Sequence, residues 1–274
     1  MTNKNVFKYT LTLLAVLCLF NDSFAGGWPV RKGKFMLSVS ANYFHADKRW
    51  DASGKVVPYE NNGYYTSTGL SIYGEYGISR RLTGVVSLPY MWNEFRQGGT
   101  GVKLSGFGDA ELGLRWYLKN IDFKYYMAIQ GSIIAPLYSR DLGFATTGAD
   151  VKYIISGATK HGTKSGYFNL EVGGRYYFEN AGPFQARYAA SYGYNFNKKN
   201  QVTLGLSGTH SFSTNKDFDE NLAIVKNYWY TQGSLSYAHI FSPKFSMFGS
   251  VNRFLLGRST GIGTNFSVSV ITKL

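Results

Sequence analysis

The chain has 274 residues, a formal net charge of +13, one cysteine, 17% aromatic residues, 32 Gly and only 6 Pro. One cysteine excludes an internal disulfide framework and a thiolate metal cluster. After residue 25 no apolar run reaches the ~20 residues of a membrane-spanning helix, and the excess of Tyr, Phe and Gly favours strands and turns.

At the start of the chain, Lys4 and Lys8 precede an apolar run over 11–20, and Ser23 and Ala25 place small residues three and one before a cut ahead of Gly26. This pattern predicts a secretory signal peptide over 1–25, too short to span a bilayer, followed by a single domain over 26–274. Cys18 falls inside the apolar run behind Leu17, which is not the small residue a lipoprotein signal needs. The exported chain therefore carries no thiol.

Period-two alternation then governs the chain. Phe35, Leu37, Val39, Ala41 and Tyr43 share one face against Ser38, Ser40 and Asn42. Leu70, Ile72 and Tyr76 oppose Ser71, Tyr73 and Glu75, and Leu82, Val86, Leu88, Tyr90 and Trp92 oppose Thr83 and Ser87. In the stretch SGFGDAELGLRWYL, residues 105–118, Ala110, Leu112, Leu114, Trp116 and Leu118 alternate with Asp109, Glu111, Arg115 and Tyr117. Phe168, Leu170, Val172, Tyr176 and Phe178 oppose Asn169, Glu171 and Arg175, and Val202, Leu204 and Leu206 oppose Thr203 and Ser207. The segment VKYIISGA, from 151, alternates poorly, and a strand over 150–157 is required mainly to keep the count even.

A soluble sandwich also alternates, but its polar face accumulates Lys and Glu, and its two ends carry similar loops. Here the polar face is mostly Ser, Thr, Gly, Asn and Tyr. Connections are long near 46–63, 93–106, 136–149 and 213–226 and short near 78–81, 119–122 and 242–244. This predicts an all-β, transmembrane, antiparallel outer-membrane β-barrel of about 12 strands, with 10 or 14 as alternatives, both termini periplasmic and the long loops outside. Leu112 and Leu114 then face lipid. Tyr64, Tyr76, Tyr90, Trp92, Trp116, Tyr176, Phe178, Tyr192, Tyr194 and Trp229 fall at strand ends, where aromatic girdles lie.

Three stretches carry a resemblance: GGWPVRKGKFMLSVSANYFHADKRWDASGK, YGEYGISRRLTGVVSLPYMW and SGFGDAELGLRWYL. Over residues 26–135 the chain resembles the outer-membrane barrels of the MetA-pathway-of-phenol-degradation family and their XagA-like relatives. The resemblance implies passage of small aromatic or apolar compounds across the outer membrane. The chain departs from the usual barrel ending, closing on SVSVITKL where such barrels end in Phe.

The inward phase carries the candidate solute path: Glu75, Asp109, Glu111, Arg115, Tyr117, Glu171, Arg175, Tyr177 and Arg187. Two strands repeat a motif, Glu111 with Arg115 and Glu171 with Arg175, each setting a carboxylate and a guanidinium roughly 13 Å apart on the inner face. Such charges either pair with neighbouring strands to brace the barrel or line a selective conduit. Tyr73, Tyr126 and Tyr167 share the phase and narrow it.

Other chemistry is sparse. His45, His161, His210 and His239 lack metal-ligand spacing, GFGDAE lacks the third Gly of a dinucleotide loop, and no cofactor is expected. A phospholipase-like barrel needs His and Ser on one lipid-facing surface, whereas the residue two after His210 is Phe212 and Ser211 points inward. The function classes are thus a selective channel for small, partly apolar or aromatic molecules, a surface or assembly barrel binding a polymer or protein through its outer loops, and, last, a membrane enzyme. The partners expected are outer-membrane lipid, lipopolysaccharide, the barrel-assembly machinery and a small-molecule solute. Nucleic acid is excluded by secretion and by the lack of a groove-reading motif. Lys48, Arg49, Lys55, Arg96 and Arg253 lie near the outer rim, where lipopolysaccharide phosphates are met in a Gram-negative outer membrane.

Overall fold

The computed structural model describes residues 28–97, 100–138, 146–179, 182–215, 218–219 and 224–274. The expected signal peptide lies outside the described residues. The strands, in chain order, are β1 (Phe35–Trp50), β2 (Val56–Pro58), β3 (Tyr64–Gly77), β4 (Leu82–Gln97), β5 (Thr100–Phe107), β6 (Asp109–Ile121), β7 (Tyr125–Pro136) and β8 (Gly148–His161). They continue with β9 (Lys164–Tyr177), β10 (Phe184–Asn195), β11 (Asn200–Phe212), β12 (Phe218–Asp219), β13 (Ile224–Val225), β14 (Trp229–Ser242), β15 (Phe245–Arg258) and β16 (Thr260–Lys273).

Among the described residues, β2 and β5 are short additions to a 14-stranded sheet, and its other twelve strands form a ring that closes where β16 pairs with β1. That antiparallel seam runs from Met36 opposite Lys273 to Trp50 opposite Thr260, with one register shift between Ala46 and Lys48. Closure leaves the ring no unpaired edge, which a hydrocarbon surround demands. The poorly alternating segment at 151 lies within β8, a full ring strand. Its pattern is blurred because Ile154 occupies the inward phase, where it packs with Tyr117 and Ala128.

The alternation separates two environments. Leu112, Val172 and Leu204 are 68%, 60% and 60% exposed on the outside, while Arg115, Gln130 and Asp150 on the inside are 5%, 1% and 3% exposed. Aromatics ring both ends of this apolar exterior, among them Tyr76, Trp116 and Phe241 on the side of the termini and Trp92, Tyr176 and Phe212 on the other.

Local chemistry sets the tight turns beside the termini. The Ser79 hydroxyl accepts the Arg81 and Leu82 N–H groups, Asn197 Oδ1 accepts those of Lys199 and Asn200, and Ser242 Oγ those of Lys244 and Phe245. In the three-residue link between β6 and β7, Asp122 and Phe123 both take positive φ, and the Lys124 N–H donates to the Ile121 carbonyl at 2.9 Å.

Strands extend further on the opposite side than alternation indicates. β1 reaches Trp50 and β4 reaches Gln97, so the stretch 93–106 expected as a loop is largely a hairpin arm in which β5 pairs with β4. The link between β15 and β16 is the single residue Ser259, at φ 53. Beyond the apolar band neither face of a strand meets lipid, and the alternating pattern fades there although the backbone still pairs.

Candidate functional site: the barrel lumen

Every inward residue selected from the sequence lies on the inner face, and they form three groups. In the first, Arg115 Nη1 donates to Glu75 Oε1 at 2.9 Å, Arg115 Nε to Gln130 Oε1 at 3.0 Å and Arg115 Nη2 to the Tyr73 hydroxyl at 3.1 Å. Arg115 and Glu75 are 5% and 6% exposed. A pair so enclosed is bonded within the wall. It braces the wall, since either charge alone would be buried without its partner.

A second group links strands β6 to β10 along one side of the inner wall. Arg175 of β9 donates from Nη2 to Glu111 Oε2 of β6 at 2.9 Å, and Tyr177 donates its hydroxyl to Asp109 at 3.1 Å. Two ring strands lie between these partners. Tyr138 donates to the other oxygen of Asp109 at 2.7 Å. Asp150 Oδ2 takes both Arg175 Nε and Arg187 Nη1 at 3.0 Å. The result is a belt along the β6 to β10 side of the inner wall, toward the end away from the termini. In neither repeated motif does the strand pair its own Glu with its own Arg. Glu111 finds Arg175 three strands away, and Glu171 lies 3.7 Å from Lys152 Nζ and accepts from Asn169 at 2.8 Å.

The third group involves a residue that sequence reading missed. Trp28 sits in the lumen near the termini, with its ring 6.1 Å from Tyr167 and 6.4 Å from Tyr126, and its carbonyl accepts the Tyr117 hydroxyl at 2.8 Å. Tyr117 is 5% exposed and packs in this group. The segment is anchored where Lys32 bridges to Gly77, Gly33 N–H donates to the Gly77 carbonyl at 2.8 Å and Gly77 N–H donates to Lys34 O at 2.9 Å. A Cβ at Gly77 would collide with the backbone carbonyls of Arg31 and Val30, so only glycine permits the crossing. The sole sequence signal was an aromatic residue just after the expected cleavage position. Trp28→Ala is expected to raise the single-channel conductance of reconstituted barrels severalfold, and Gly77→Ala to do so partly by displacing the anchor. Unchanged conductance in both would show that Trp28 does not limit the lumen.

Along β9 the order is Tyr177 and Arg175 in the belt, then Gly173 and Glu171, then Tyr167 at the Trp28 level, about 27 Å of strand from Arg175 to Tyr167. Between the belt and the Trp28 level lies a cavity of about 150 Å³ reached by Asp150, Lys152, Glu171 and Arg187. Asp150 and Lys152 were not singled out from the sequence, although both alternate with Val151 and Tyr153. A larger space of about 700 Å³ opens at the mouth beside the termini, next to Lys164, Lys198 and Lys199.

On the outer surface, His210 stacks on Trp229 at 5.3 Å with ring planes 7° apart, while the Ser211 hydroxyl turns inward to the Lys226 carbonyl at 2.7 Å. The pair therefore lies on opposite faces of β11. Arg253 faces outward and donates to Thr264 Oγ1 at 3.0 Å.

No protein-family model and no curated protein matches the chain. Among solved structures, the COG4313 outer membrane channel from Pseudomonas putida F1 superposes with a TM-score of 0.71 at 15% identity, covering 93% of this chain and all of that one. The NanC porin superposes with a TM-score of 0.51 at 11% identity, covering 87% of this chain and all of that one. At such identities the likeness establishes the outer-membrane barrel fold.

Proposed function

We propose that the chain is an outer-membrane barrel passing small, partly apolar or aromatic solutes along a narrow lumen in a Gram-negative bacterium. One observation carries this reading. The lumen holds a charged, solvent-sized cavity between the Arg175 belt and Trp28, and among the described residues side chains line that stretch of the inner wall. Glu171 and Arg187 border that cavity and Arg175 stands in the belt above it, whereas Glu75 and Arg115 hold the wall. The likeness in fold to an outer-membrane channel and the resemblance of residues 26–135 to the phenol-degradation family support the same direction. Lys48, Lys55 and Arg253 would meet lipopolysaccharide phosphate at the outer rim.

Export through the 1–25 signal peptide and assembly into the outer membrane predict a protein that begins at Gly26, fractionates with outer membranes and shifts on a gel only after boiling. A soluble product without that shift would refute the location. Liposome swelling then tests the transport reading. Small phenolics are expected to enter faster than sugars of similar mass; fast sugar entry would make the barrel a general porin.

A second reading, a surface or assembly barrel acting through its outer segments, is favoured by Trp28, whose ring narrows the lumen near the termini. Entry of neither solute class, before and after Trp28→Ala, would establish it.

A further inference from the structure

The cavity between the belt and Trp28 has the parts of a binding site for a small organic carboxylate. Across five adjacent strands one row reads Lys152, Gly173, Arg187, Thr209 and Tyr230, each residue directly opposite the next. All five border the cavity. Because Gly173 has no side chain, the two cations flank a gap two strand spacings wide, about 10 Å between their Cα atoms. A Cβ at Gly173 would press on the Val151 carbonyl and lie 2.7 Å from Lys152 Cβ, so the gap is fixed by backbone approach. Ala189, in the next row opposite Glu171, keeps the floor shallow.

The charges around this gap are unequally committed. Asp150 is 3% exposed and its Oδ2 already takes two guanidinium groups. Glu171 is held by the Asn169 amide at 2.8 Å. Arg187 spends Nη1 on Asp150, yet its side chain is 42% exposed, so the rest of its fork faces the cavity. Lys152 keeps a long 3.7 Å contact with Glu171, and a better acceptor can outcompete it. The anions are thus engaged and the cations retain donors. On the far side Tyr230 stacks on Phe254 at 4.4 Å with planes 6° apart, a rigid ring wall at the end of the same row.

We infer that this cavity binds one small carboxylate, its oxygens between Lys152 and Arg187 and its planar or apolar body toward Tyr230. A volume of about 150 Å³ admits a solute the size of a single aromatic ring. The inference rests on the lumen being a solute path, and it narrows the solute to an anion with an apolar body.

Benzoate, benzyl alcohol and benzylamine share a ring and differ in charge, and serve as probes on the full barrel. Binding is read by calorimetry in detergent and passage by current through planar bilayers. Benzoate should bind at least tenfold more tightly than either other probe, and Arg187→Gln and Lys152→Gln should each weaken it about tenfold while leaving the heat-dependent gel shift intact. Ala189→Leu, which fills the cavity without touching a charge, should also abolish binding. Equal affinity for the three probes, or undiminished benzoate binding in Ala189→Leu, would overturn the site. If benzoate binds as described but no current or flux crosses any variant, the site stands and the channel reading falls.

Discussion

Replacing Leu112 or Leu114 with Arg is expected to destabilise the barrel by about 2 to 4 kcal/mol, the cost of a guanidinium on the lipid face near the membrane midplane. Both residues are among the most exposed apolar side chains, at 68% and 53%, so in water alone the change would cost little. The penalty arises only if hydrocarbon covers them. Glu111, one residue before Leu112, faces the lumen, where its carboxylate accepts from Arg175. Glu111→Gln should therefore leave insertion intact. Denaturant titration of the folded, gel-shifted band in bilayers reads both, and equal sensitivity at 111 and 112 would refute the register.

The second large effect concerns Arg115. Its guanidinium satisfies Glu75, Gln130 and Tyr73 at once in a nearly closed pocket. Arg115→Ala strands the Glu75 carboxylate, and removing one partner of a buried pair typically costs about 3 to 5 kcal/mol. The double variant Glu75→Gln, Arg115→Met removes both charges and is expected to recover most of that loss. Flux should be unchanged in the double variant, because neither side chain borders the cavity. A double variant as unstable as the single one would mean that the pair does more than neutralise itself, and altered flux would place it on the path.

These contrasts follow from how differently the inward residues are used, which their spacing did not distinguish. Glu111 with Arg115 and Glu171 with Arg175 look like repeats of one device in sequence. In the barrel Arg115 is wall, Arg175 is belt and Glu171 borders a cavity. The resemblance found over 26–135 and the fold likeness to a channel agree on architecture, and neither separates these roles.

What the sequence determined by itself is the period-two pattern and its consequences. Each strand separates two solvents along its own length, so the apolar face at Leu112, Val172 and Leu204 and the inward phase of the charges are local properties that a reader can extract without knowing the neighbours. The turn hydroxyls and amides at Ser79, Asn197 and Ser242 are equally local. The tertiary structure decided which inward groups meet. Glu111 reaches Arg175 three strands away, Asp150 gathers two guanidinium groups, Gly173 opens a gap between Lys152 and Arg187, and Trp28 enters the lumen over Gly77. Those meetings depend on strand number, stagger and radius, which are set jointly by the whole closed ring and written in no single segment of the chain.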